Sequence, residues 1–152
     1  MTADVASVCA LLAEYGALID AAKFDEWLDL FSTECCYQIA PRENFDRGLL
    51  AALVFCDSRA MLEDRIRALR EANKYNIHTD RHLIGLPRIL DDGFAVEAPF
   101  AVYQTDQEGE TRLYATGLYH DRLEAIGRHL KIRDKLILLD TFAVPSLLAT
   151  PL

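Results

Sequence analysis

Apolar and polar residues alternate through the stretch 110–144 with a period of two, as they do in strands whose successive side chains point to opposite faces. In its first arm Tyr114, Thr116, Leu118, His120 and Arg122 share one face, and Leu113, Ala115, Gly117, Tyr119 and Asp121 share the other. In the second arm Leu130 and Ile132 alternate with Lys131 and Arg133, after which residues 136–139 are continuously apolar, as in a strand that leaves an exposed edge and enters a buried sheet. The pattern predicts two long strands joined at Ala125-Ile126-Gly127. A sheet of this length needs a covering layer.

The covering layer is predicted upstream. Val5, Val8, Leu12, Tyr15, Ile19 and Ala22 recur at spacings of three and four, which gives a helix over about 4–22 with one apolar stripe. A second helix over 24–31 sets Phe24, Trp27, Leu28 and Phe31 against Asp25, Glu26 and Asp29, so the two form an αα-hairpin lying on something flat and apolar. Residues 35–40 read as a short strand ended by Pro41, which has no N–H to give a ladder. Residues 41–49 read as a polar loop, and 50–56 fits a strand or a helical turn. With Asp57 as N-cap, 57–75 predicts a third helix bearing Leu62, Ile66, Leu69 and Asn73 on one stripe, with Met61, Ala68 and Ala72 beside it. Strands follow over 82–90 and 94–104, with turns at Asp91-Asp92-Gly93 and Asp106-Gln107-Glu108-Gly109. Helices first and an antiparallel meander after them predict one α+β domain over residues 1–152, in which a curved antiparallel sheet wraps three helices from the first half of the chain.

Composition narrows the function classes. Half of the 152 residues are apolar, which excludes disorder, and 16 basic against 24 acidic side chains leave a net charge of −8. Nucleic-acid backbones and anionic membranes both need a basic face, so neither is an expected partner. The first Lys or Arg is Lys23, so the start lacks the basic region of a secretory signal, and no apolar run is long enough to span a bilayer; the expected location is the cytoplasm. Cys9, Cys35, Cys36 and Cys56 have no framework spacing and are expected to be reduced core residues.

Candidate chemistry is sparse. No C-x-x-C or C-x-H pattern is present, so a Rieske cluster or structural zinc has no recognisable ligand set. His78, Asp80 and His82 are close in sequence, but three ligands in a loop entering a strand converge only with an unusual turn. His120 and His129 fit solvent-facing or interface positions. Nucleophile elbows, P-loops and dinucleotide fingerprints are absent. The remaining enzymatic option is acid–base chemistry in the cavity that a curved sheet capped by helices leaves, where Asp20, Tyr15, Tyr37, His82 and Asp140 can converge; a His–Asp pair with tyrosines suffices for dehydration, isomerisation or epoxide opening.

The run 57-DSRAMLEDRIRALREANKY-75 followed by 81-RHLIGLP-87 resembles the small, or beta, subunits of aromatic-ring-hydroxylating (Rieske non-haem iron) dioxygenases, most of all those of terephthalate dioxygenase and then salicylate hydroxylase. The segments 15-YGALIDAAKFDEWLDLFSTECCY-37 and 130-LKIRDKLILLDTFAVPSLLATPL-152 fit the same family, so the likeness covers most of the chain. It implies a nuclear transport factor 2-like (cystatin-like) cone and a non-catalytic subunit that binds no metal or cofactor. The implied partner is a large (alpha) subunit carrying the Rieske [2Fe-2S] cluster and mononuclear Fe(II), in an α3β3 hexamer with this chain as its trimeric base. The complex would dihydroxylate an aromatic acid with O2 and electrons from NADH, as part of aromatic catabolism. The fold is shared with stand-alone dehydratases, isomerases and hydrolases, so a catalytic cone using His82 and Asp20, with Tyr37, stands as the alternative. Under the subunit reading the outward residues His120, Arg122, Lys131 and Arg133 are the expected subunit contacts.

Overall fold

A computed structural model describes residues 3–48, 52–72, 74, 77–90, 92–140 and 151–152. Asn73, Asp91, the start of the segment 50–56 and the end of the second long arm beyond residue 140 therefore lie outside the described residues.

Helix α1 spans Val5–Asp20 and buries Val8, Leu11, Leu12, Tyr15, Leu18 and Ile19. Its N-cap is Asp4, whose Oδ1 accepts the Ser7 N–H at 2.9 Å. Val5, expected on the buried stripe, is 53 % exposed. The helix ends in a Schellman motif: the Lys23 N–H reaches the Leu18 carbonyl and the Ala22 N–H reaches that of Ile19. Ala22 takes the left-handed position at φ 56°, where glycine is usual. Helix α2 is shorter than expected, Phe24–Leu28, since the chain turns at Asp29 and enters a strand at Phe31.

Strand β1 runs Phe31–Pro41, well beyond the expected 35–40, with Pro41 as its final residue. The supposed polar loop after it begins with a short helix α3, Arg42–Asp46, for which Pro41 supplies the fixed φ of an N-cap position. Strand β2 is Val54–Cys56, which decides the open choice for that segment in favour of a strand. Helix α4, Arg59–Ala72, buries Leu62, Ile66 and Leu69 as the stripe requires. Its cap is Ser58 instead of Asp57: the Ser58 hydroxyl accepts the Met61 N–H at 3.2 Å.

The expected strand 82–90 is two pieces, β3 Thr79–Ile84 and β4 Arg88–Ile89. Pro87 cannot donate to a ladder, and the chain crosses that gap with the Gly85 N–H on the Pro99 carbonyl at 2.8 Å. Strands β5 (Ala95–Thr105), β6 (Thr111–Ile126) and β7 (His129–Leu139) form the meander. Gly93, Gly109 and Gly127 supply the positive φ of its turns.

The sheet order is β2-β1-β7-β6-β5-β3, with β4 also on β5. One pairing departs from the expected antiparallel meander: β1 lies parallel to β7, Tyr37 opposite Lys135 and Ile39 opposite Ile137. A parallel pair needs a long crossover, and here everything between residues 41 and 129 is that crossover. On β6 the inner face is Ala115, Gly117, Tyr119, Asp121 and Leu123. Gly117 has no room for a side chain, since an added Cβ would stand 2.0 Å from the Leu138 carbonyl oxygen and 3.0 Å from the Phe100 ring. Leu118 is on the outer, half-buried face with His120, not among the core residues. The core under the helices is aromatic: Tyr15, Trp27, Phe31, Tyr37 and Tyr119 meet mostly edge-on, with centroids 4.9–6.4 Å apart, and Phe100 stacks on Tyr119 at 4.3 Å.

Candidate functional site

Asp20 is the last residue of α1 and His82 lies on the inner face of β3, an edge strand. The two are in contact. Asp20 Oδ1 is 2.6 Å from His82 Nδ1, and Oδ2 accepts the His82 backbone N–H at 2.9 Å. A carboxylate on Nδ1 selects the tautomer protonated there and leaves Nε2 as the acceptor. The His82 ring is fully enclosed, and Nε2 has no hydrogen-bond partner among the described residues. Asp20 thus does two things at once: it orients the imidazole, and it fastens α1 to a backbone N–H on the sheet's edge.

Open space next to this pair lies at the side of the cone. A groove of about 570 Å3 runs between α1 and β3, lined by Leu12, Gly16, Asp20, His82, Ile84 and Leu86 among others. The cone interior is filled instead. Tyr37 sits there, and its partners are the backbone of Leu152 and the Tyr15 hydroxyl, not His82 or Asp20. Asp140 is at the surface, paired with Arg42 at 3.1 Å. Of the residues expected to converge, Asp20 and His82 do so, Tyr15 and Tyr37 form a second group around Leu152, and Asp140 joins neither.

His78 and Asp80 pair at 3.3 Å, away from the Asp20 contact of His82. Among the described residues no three His, Cys, Asp or Glu side chains come together in a metal-holding group. Burial pushes the thiol of Cys35 up to about 11 and those of Cys36 and Cys56 up as well, the wrong direction for an activated nucleophile. The four cysteines are free.

The outward candidates are held locally. Arg122 meets Asp92 at 2.6 Å, His120 meets Glu97 at 3.3 Å, and Lys131 donates to the Asp29 carbonyl; Arg133 is exposed. A buried ion pair was not foreseen. Lys135 Nζ lies 2.9 Å from Asp121 Oδ2, both side chains are closed to water, and the ammonium sits over the rings of Tyr15 and Tyr119. Burial pushes the Asp121 carboxyl up and the Lys135 ammonium down, with each partner's charge opposing that trend. The signal was present in the alternation: Asp121 is in phase with Tyr119, and Lys135 with Ile137 and Leu139.

Residues 16–146 match the family model described as "Ring hydroxylating beta subunit". The chain belongs to that family. It is 38 % identical over 149 residues to the terephthalate 1,2-dioxygenase terminal oxygenase component subunit beta 2 of Comamonas sp, covering 95 % of this chain and 96 % of the relative. It is 36 % identical over 137 residues to the anthranilate 1,2-dioxygenase small subunit of Burkholderia cepacia, covering 88 % and 85 %. A crystal structure assigned to the beta subunit of an aromatic-ring-hydroxylating dioxygenase from Novosphingobium aromaticivorans superposes with a TM-score of 0.88 at 40 % identity, over 97 % of this chain and 96 % of that one. As a ring-hydroxylating beta subunit, the chain has the nuclear transport factor 2-like cone that its sequence led one to expect. Among the described residues no helix is long and apolar enough to cross a membrane.

Proposed function

We propose that this beta subunit is the non-catalytic small subunit of a cytoplasmic ring-hydroxylating dioxygenase, one domain over residues 1–152 that assembles with and stabilises a large subunit. That large subunit holds a Rieske [2Fe-2S] cluster and a mononuclear Fe(II), takes electrons originating in NADH, and uses O2 to dihydroxylate an aromatic acid of the kind its relatives' names carry, terephthalate or anthranilate. The assembly is an α3β3 hexamer on a trimer of this chain, with His120, Arg122, Lys131 and Arg133 on the outer sheet face at or near the subunit contacts. The observation that carries the reading is the filled cone: Trp27, Phe31, Tyr37, Tyr119 and Leu152 occupy the interior where a catalytic cone would keep its substrate.

Co-expression tests it. With the large subunit alone, soluble oxygenase and ring hydroxylation are expected to fall sharply, and adding this chain restores both. Equal solubility, assembly and turnover without this chain would sink the proposal. A stand-alone cone enzyme built on His82 and Asp20 is the second reading, favoured by their 2.6 Å contact beside an open groove. Under it, His82→Gln would abolish a reaction of the isolated chain; under the subunit reading, that variant leaves hydroxylation by the assembled complex within a fewfold of normal.

A further inference from the structure

Leu152 is 1 % exposed and belongs to the same buried cluster as the aromatic residues of the cone. Its backbone is held at two places, the N–H of the peptide it shares with Pro151 and its own oxygen. The Tyr15 hydroxyl donates to the Leu152 oxygen at 2.5 Å, and the Leu152 N–H donates to the Tyr37 hydroxyl oxygen at 3.1 Å. The Tyr37 hydroxyl also points to the Leu152 oxygen, at a longer 3.5 Å.

Packing alone does not call for these hydroxyls. Phenylalanine would fill either position without the cost of dehydrating a phenol, so two buried tyrosines aimed at one point make sense as recognition of a polar group there. The tyrosines are themselves held in place. Trp27 lies 5.7 Å from the Tyr15 ring and 5.9 Å from the Tyr37 ring, and Lys135 Nζ sits 4.1 Å above the Tyr15 ring, fixing its tilt. Donor, acceptor and apolar wall are therefore held in place around Leu152 by groups other than Leu152 itself, an arrangement that lowers the cost of binding.

We propose that the inner end of the cone is a binding site for a single N-acyl-leucine unit, recognised by its backbone N–H, its own carbonyl oxygen and its branched aliphatic side chain, and that Leu152 of this chain is its resident occupant. Tyr15 reads the acceptor oxygen, Tyr37 reads the N–H, and the aromatic wall takes the isobutyl group. Nothing in this site draws on Asp20, His82 or the groove outside α1, so it is separate from the candidate pair.

The test uses N-acetyl-L-leucinamide as the probe, followed by calorimetry and by NMR of the chain. The intact chain is expected to show no saturable binding, because Leu152 holds the site. A chain lacking Pro151 and Leu152 is expected to bind the probe saturably, to ignore N-acetylglycinamide, and to lose about tenfold in affinity on Tyr15→Phe. If the shortened chain loses its fold, the probe is expected to restore it, since a ligand that binds only the native state stabilises that state. A folded shortened chain that fails to bind, one that binds both amides alike, or an unfolded one that the probe does not restore overturns the proposal.

Discussion

Lys135 Nζ stands 2.9 Å from Asp121 Oδ2 with both side chains closed to water, and the same ammonium lies 3.6 Å above the Tyr119 ring and 4.1 Å above that of Tyr15. Breaking such a pair is costly because one charge stays behind without its partner. Lys135→Met is expected to lower stability by about 3–5 kcal/mol, while the double variant Lys135→Met, Asp121→Leu recovers most of that loss. Urea unfolding of the wild type, both singles and the double completes the cycle. A double variant as weak as Lys135→Met would mean that the pair is not what is lost. In Lys135→Met the carboxyl pushed up by burial stands alone, so that variant is expected to lose further stability as pH rises from the ordinary carboxylate value, the native state holding the extra proton.

Asp92 gives the opposite sign at the surface. Its carboxylate accepts the N–H groups of Phe94 and Ala95 and meets Arg122, which lowers it to about 2. A carboxylate depressed in the native state adds stability above its ordinary value of 3.8, and that stability is lost as pH falls toward 2. Asp92→Asn is expected to unfold more easily than wild type at pH 6, with the difference shrinking steadily below pH 4. Thermal melts across that range would show it, and a constant gap would contradict it.

Gly117 admits no Cβ, because the Leu138 carbonyl occupies the place. Gly117→Ala must push β6 and β7 apart or bend one of them, with an expected loss of about 1–3 kcal/mol. The same substitution at Gly109, where the added atom meets open space but φ is positive, would cost only the backbone strain. Denaturation midpoints of the two variants should rank in that order.

Ala22 closes the Schellman motif of α1 with φ at 56°. A side chain there costs about 1–2 kcal/mol, partly offset by the extra freedom a glycine brings to the unfolded chain. Ala22→Gly is therefore expected to stabilise by on the order of 1 kcal/mol, read as a higher urea midpoint.

The three main helices and the strands of the meander were legible because each carries its own period: Leu62, Ile66 and Leu69 for α4, Tyr119, Asp121 and Leu123 for β6. The parallel seating of β1 on β7 was not, because register between distant strands is set by how whole faces stack and leaves no mark in either strand alone. The short helix α3 escaped for another reason: none of its five residues is buried, so no apolar stripe marks it as α2's Phe24, Trp27 and Leu28 mark that helix. In the candidate site, Asp20 and His82 were legible as residue types. That Asp20 would also take the His82 backbone N–H depended on where α1 stops, and Ala22, which stops it, looks like an ordinary helix former. The meeting of Tyr15 and Tyr37 on Leu152 left no local trace, since nothing near residue 152 alternates.

Because β1 pairs with β7, Phe31 opposite Ile132 and Pro41 opposite Leu139, β1 takes its place in the sheet only after the intervening strands have been synthesised. During translation β1 leaves the ribosome long before β7, the strand that joins it to the meander, whereas α1 meets β3 earlier through Asp20 and His82. Contacts this far apart in sequence make for slow closure. The order of synthesis thus leaves one edge of β1 unpaired until β7 is made.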